Sequence, residues 1–153
     1  MTGTTASNHS LARFAAACAV AVSAAVCTVA GASEGGAALD PAKAGIPVYP
    51  GAKADGATSA FLRESLGMTG AAYRSGDGVA KVVAFYEKQA GMKKMPGATG
   101  EQAGFSAGCK GEFIPALKKE IQKCAYQVTV QNPWMDMKTG QLVRDTLISI
   151  VKP

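Results

Sequence analysis

"CKGEFIPALKKEIQKCAYQVTVQ", residues 109–131, carries two cysteines, four lysines and a change of hydrophobic period. Between the cysteines, Ile114, Leu117 and Ile121 recur at helical spacing, and Pro115 falls where a first turn tolerates proline. Residues 113–123 therefore read as a short helix. From Cys124 the period becomes two: Cys124, Tyr126, Val128 and Val130 point one way, and Ala125, Gln127, Thr129 and Gln131 the other. That alternation is the mark of a half-buried strand. "FSAGC", just upstream, reads as a short strand leading into the helix.

Working outward, "LVRDTLISIV" (142–151) is a second apolar run, and Lys138-Thr139-Gly140 supplies a turn before it. The last two strands are thus expected to pair as a hairpin. "DGVAKVVAFYEKQAGM" (77–92) sets Val79, Val82, Val83 and Tyr86 on one helical face, with Asp77 as N-cap and Gly91 as the stop. "ATSAFLRESLGM" (57–68) reads as a strand turning into Ala71–Arg74, and 93–104 as a loop. "IPVYPGAKADG" is an extended segment closing on a Pro-Gly bend. The sum is an α+β fold, an antiparallel sheet of four to five strands with two helices packed on one face. A single domain spans residues 46–153, after a flexible lead-in at 33–45.

The chain begins differently. Arg13 precedes an uncharged, Ala- and Val-rich run from Phe14 to Val29, closed by Ala30-Gly31-Ala32. This is the layout of a signal peptide, residues 1–32, cut after Ala32. The run falls short of the about 20 apolar residues a span requires. Cys18 and Cys27 lack the aliphatic box that precedes a lipidated cysteine, so a lipoprotein is disfavoured. The expected location is periplasmic or secreted. The mature chain keeps 15 of 16 basic and all 11 acidic residues, a net charge of +4, and has no transmembrane segment.

Export to an oxidising compartment favours a disulfide between Cys109 and Cys124, which lack the Cys-x-x-Cys spacing of redox pairs. The loop it closes stabilises by about 3 kcal/mol in the chain-entropy model. Cleavage removes His9, the one histidine. Imidazole-based catalysis and ordinary zinc sites go with it. The acids are scattered, and Asp136 with Asp145 is too small a set for calcium. The closely spaced glycines lack the endings of phosphate-binding loops. No catalytic residue, cofactor or metal is expected. Trp134 fits either core or binding surface. Lys110, Lys118, Lys119 and Lys123 form a candidate basic patch for an anionic surface, against the plain alternative of a solvated face. With no aromatic interleaved among them, nucleic acid is disfavoured.

Tyr49-Pro50-Gly51-Ala52, then Tyr73, Ser75 and Asp77, then Val82 to Tyr86 resemble a pattern in small exported bacterial proteins. That pattern has a Tyr-Pro-Gly-Ala segment and a Val-x-x-Phe-Tyr helix. The resemblance implies a fold and a compartment and transfers no catalytic residue. The leading expectation is a non-catalytic envelope module that binds a partner protein or an anionic surface. The alternatives are a carboxylate-dependent hydrolase or transferase, and an inhibitor of a cell-wall lytic enzyme.

Overall fold

A computed structural model describes residues 36–153. The signal-peptide reading of residues 1–32 lies outside them. The elements run β1 (Lys53–Ala54), α1 (Gly56–Glu64), β2 (Thr69–Ser75), α2 (Val79–Glu87), β3 (Met92–Lys94), β4 (Gln102–Ile114), β5 (Lys119–Gln131), β6 (Trp134–Met135), β7 (Leu142–Val143) and β8 (Thr146–Lys152). Six strands form an antiparallel sheet in the order β1-β2-β8-β5-β4-β3, and β6 and β7 pair separately. The α+β class is therefore observed, with six strands in the main sheet rather than four or five. Among the described residues no helix is long and apolar enough to cross a membrane.

Residues 113–123 are not a helix. β4 and β5 form one long hairpin, in register from Gln102↔Gln131 to Ile114↔Lys119, with a 3-10 turn at Pro115–Leu117. Proline at the head of the turn suits either structure, so Pro115 does not distinguish them. The spacing of Ile114, Leu117 and Ile121 mimics a helix face. In the hairpin Ile114 and Ile121 instead share one face of the ribbon, because Ile114 pairs with Lys119, two residues before Ile121.

Residues 57–68 are likewise not a strand. Asp55 caps α1 through Oδ1, which accepts the Thr58 amide at 3.0 Å, and its Oδ2 accepts the Thr58 hydroxyl at 3.1 Å. A helix start fixed in this way outweighs the weak strand pattern that follows. Gly67 then turns the chain at φ 64° into β2.

The core lies on one face of the sheet. Phe105, Val128, Val130, Ile148 and Ile150 are fully buried there under Val79, Val82, Val83 and Tyr86 of α2. The alternation read from Val128 and Val130 and the helical face read at 79–86 both hold. Helix α1 covers the opposite face: Leu62 approaches Gly70, and Phe61 and Leu62 line a cleft with Leu147 and Ser149, the alternate residues of β8. The two helices thus sandwich the sheet instead of sharing a face. From Gly36 onward the segment read as a flexible lead-in is tied down. Gly36 N donates to Arg63 O at 2.9 Å, Ala38 bridges Gly70, and Ile46 N donates to Pro41 O at 2.9 Å.

Candidate functional site

The β4–β5 hairpin divides in two at its cysteines. Inward of them, β4 pairs with β3 and β5 with β8. Outward of them, Lys110–Ile114 and Lys119–Lys123 pair only with each other. Cys109 and Cys124 stand directly opposite in register and form the disulfide expected between them. The bridge closes the base of the outer hairpin and the 3-10 turn closes its end.

Alternation of side chains places Lys110, Lys119 and Lys123 on one face of this ribbon, and Lys118 sits at its end. The four lysines read from the sequence are thus brought together, by a hairpin and not by a helix. Lys110 faces Lys123 directly, a repulsive pair in isolation. Glu112 relieves it through an ion pair, its Oε2 lying 3.3 Å from Lys123 Nζ. Lys152 joins the same surface, lining a concavity with Gly108, Lys110, Glu112 and Lys123. Lys93 reaches the ribbon too, its Nζ donating to Gln122 Oε1 at 3.0 Å. Lys118 is the one non-glycine residue at positive φ among those described (φ 47°, ψ 38°). Glycine takes that conformation at less cost.

Between the lysines lies the feature sequence reasoning missed. Phe113-Ile114-Pro115-Ala116-Leu117 is an uninterrupted apolar run at the hairpin end, with Phe113 63% and Leu117 65% exposed. Such an exposed run is a fault in a soluble domain unless it has a use. Its signal in the sequence is five consecutive apolar residues between Glu112 and Lys118, which a helix face also accommodates.

Three other clusters are structural. The Tyr49 hydroxyl donates to Asp77 Oδ2 at 2.8 Å, Lys81 Nζ donates to Asp77 Oδ1 at 2.9 Å, and the Thr146 hydroxyl donates to Asp77 O at 2.6 Å. Asp77 therefore joins three segments instead of capping α2, whose N-cap is Gly78 with no side-chain bond. Lys81 and then Tyr49 hold the Asp77 carboxyl below its ordinary value. Asp145 accepts from Arg74 Nε at 2.7 Å and from Trp134 Nε1 at 2.9 Å, and the Arg74 guanidinium lies 5.4 Å from the Trp134 ring centre. Trp134 is buried, which places it in the packing of the α1 face. Asp136 accepts the Lys138 amide and the Thr139 hydroxyl, each at 2.9 Å, so it builds the 136–140 turn. These bonds, led by the Lys138 amide, lower its carboxyl pKa as well.

The Asp77 and Asp136 carboxyls thus both move opposite to what a general acid at neutral pH requires. Among the described residues no group of three or more histidine, cysteine or acidic side chains is placed to hold a metal ion. A second concavity, between α1 and the β6–β7 ribbon, is lined mainly by Phe61, Leu62, Trp134, Met135, Met137 and Leu147. Comparison with protein-family models, curated proteins and solved structures finds no match to this chain.

Proposed function

We propose that this chain is an exported, non-catalytic binding module of the bacterial cell envelope and that it engages its target through the outer β4–β5 hairpin. One observation carries the reading: an apolar end, 63–65% exposed at Phe113 and Leu117, stands among lysines on a ribbon stapled by Cys109–Cys124. The ribbon adds little to the core, so its apolar end is unexplained by folding. Its rigidity supports the reading too, because a preformed loop loses less conformational freedom on binding. The leader-like residues 1–32 and the disulfide support the envelope compartment.

The test uses isotope-labelled protein processed by its own host. Its intact mass first reports whether the chain begins at Ser33 and is two hydrogens light. Backbone amide spectra are then recorded with and without an extract of the same envelope holding both lipids and proteins. Shifts or broadening confined to Lys110–Lys123 and Lys152 are expected. Changes confined to the α1 cleft, at Phe61, Leu62 and Trp134, would overturn the assignment of the hairpin.

A further inference from the structure

We infer that the hairpin's target is an anionic lipid bilayer, with Phe113–Leu117 inserted at the headgroup boundary and the surrounding lysines on the lipid phosphates. This rests on the binding-module reading above and names its partner.

Shape and charge together select a bilayer over a protein groove. The exposed apolar residues Phe113, Pro115, Ala116 and Leu117 sit at the turn that ends the hairpin rather than across a sheet face, and an apolar end of this kind fits a deformable interior. Lys110, Lys119 and Lys123 lie behind that end on the ribbon, and Lys118 lies beside it. In an anionic leaflet the charge lies at the surface and the hydrocarbon beneath it, the same order as lysines behind an apolar end. The long lysine stems let the ammonium groups stay at phosphate level while the end goes deeper. Glu112 pairs with Lys123, and the four lysines of residues 110–123 set against Glu112 and Glu120 leave the outer hairpin a net charge of +2. Lys152 adds a further positive charge on the same side.

The backbone limits the depth. Both outer edges of the ribbon beyond the cysteines carry unpaired N–H and C=O groups, which hydrocarbon would leave unsatisfied. Only the turn can bring its backbone in, with Phe113 and Ile114 contributing side chains alone, and its Lys118 N donates to Pro115 O at 3.2 Å, closing the ring internally. The left-handed backbone of Lys118 is then accounted for: glycine would relax the turn but remove a charge at the point nearest the lipid.

The test is co-sedimentation of the host-processed protein with protein-free vesicles, either phosphatidylcholine alone or phosphatidylcholine mixed with phosphatidylglycerol. Binding to the mixed vesicles only, falling as salt rises, is expected. Replacing Lys110, Lys118, Lys119 and Lys123 by Gln should weaken it by about fivefold per lysine. Replacing Phe113 and Leu117 by Ser should weaken it by about tenfold for each apolar side chain. All six are surface positions, so an unchanged melting transition verifies the fold. Phe113→Trp reports insertion through a blue shift of its emission on vesicle addition, against the constant background of buried Trp134. Equal binding to both vesicle types would overturn the inference. So would binding without an emission shift, which is adsorption alone. Failure to bind either vesicle, while hairpin amides still respond to the envelope extract, would replace the lipid by a protein partner and leave the binding-module reading standing. No hairpin response in either experiment would end both.

Discussion

Breaking the Cys109–Cys124 bond should loosen the hairpin without costing the domain its full cross-link energy. The disulfide closes a loop with a sequence separation of 15, worth about 3 kcal/mol if the reduced chain gains that freedom only on unfolding. The pairing pattern offers the chain another route. Residues 110–123 hydrogen-bond across the ribbon only to one another, and an isolated two-stranded hairpin is marginal in water. Once unstapled, the outer ribbon can open while Gln127–Gln131 remains paired to Leu147–Val151 and Val128 and Val130 stay buried. The native state then gains most of the same freedom as the unfolded state, and the difference between them shrinks. In a Cys109→Ser, Cys124→Ser double variant, amide protection within Lys110–Lys123 should fall roughly a hundredfold, the full cross-link term. Protection at Val128, Val130, Ile148 and Ile150 should fall by well under tenfold, roughly 1 kcal/mol or less of global stability. Hydrogen exchange followed by mass spectrometry or NMR measures both. A parallel hundredfold loss at the core and hairpin would refute the reasoning, because it would make the ribbon cooperative with the sheet.

Two further substitutions probe the packing. Tyr86 is fully buried and its hydroxyl has no hydrogen-bond partner of good geometry, so Tyr86→Phe should raise stability by about 1 kcal/mol in denaturant unfolding. A loss would mean that the hydroxyl is satisfied. Burial, offset only in part by the Tyr49 backbone, pushes the Tyr86 pKa from 10.0 up to about 12. The folded state therefore holds this proton where the unfolded state releases it. The associated stability is complete below pH 10 and is lost as pH rises to about 12, with roughly 1 kcal/mol gone by about pH 11. In Tyr86→Phe this contribution to alkaline destabilisation should be absent, and an unchanged slope would contradict the assignment. Asp55→Ala removes the α1 cap and should cost about 1 kcal/mol in urea unfolding. A change within error would mean that packing of Leu62 alone holds the helix.

The sequence made some of this fold legible and hid the rest for identifiable reasons. Val79, Val82, Val83 and Tyr86, like Val128 and Val130, are runs in which one period dominates, and each lies on the face its spacing indicates. The Tyr49-Pro50-Gly51-Ala52 bend is also legible: Gly51 takes φ 79° and Ala52 N donates to Tyr49 O at 3.0 Å. Residues 113–123 have too few apolar positions to separate a helix from a ribbon. The decisive constraint was the direct opposition of the two cysteines, which the sequence does not encode locally. At α1 the signal is present, since Asp55-Gly56-Ala57-Thr58 has the residues of a capped start, but a weak strand pattern at 57–68 competes with it. The lysine set was legible as a cluster, whereas Lys152 comes from the far end of the chain and joins it only through β8. Leu117 reads as part of a helix face because an apolar residue at helical spacing is assigned to a core by default, yet it is exposed, and Phe113 falls outside that spacing.

The division of the β4–β5 hairpin at its cysteines has an evolutionary consequence. Side chains beyond Cys109 and Cys124 contribute nothing to the core formed by α2 and the central strands. Substitutions there are scarcely constrained by folding, so the turn and its flanking charges can diversify while the scaffold is preserved. The ribbon can equally be transplanted, since its staple, its turn and its register travel with it.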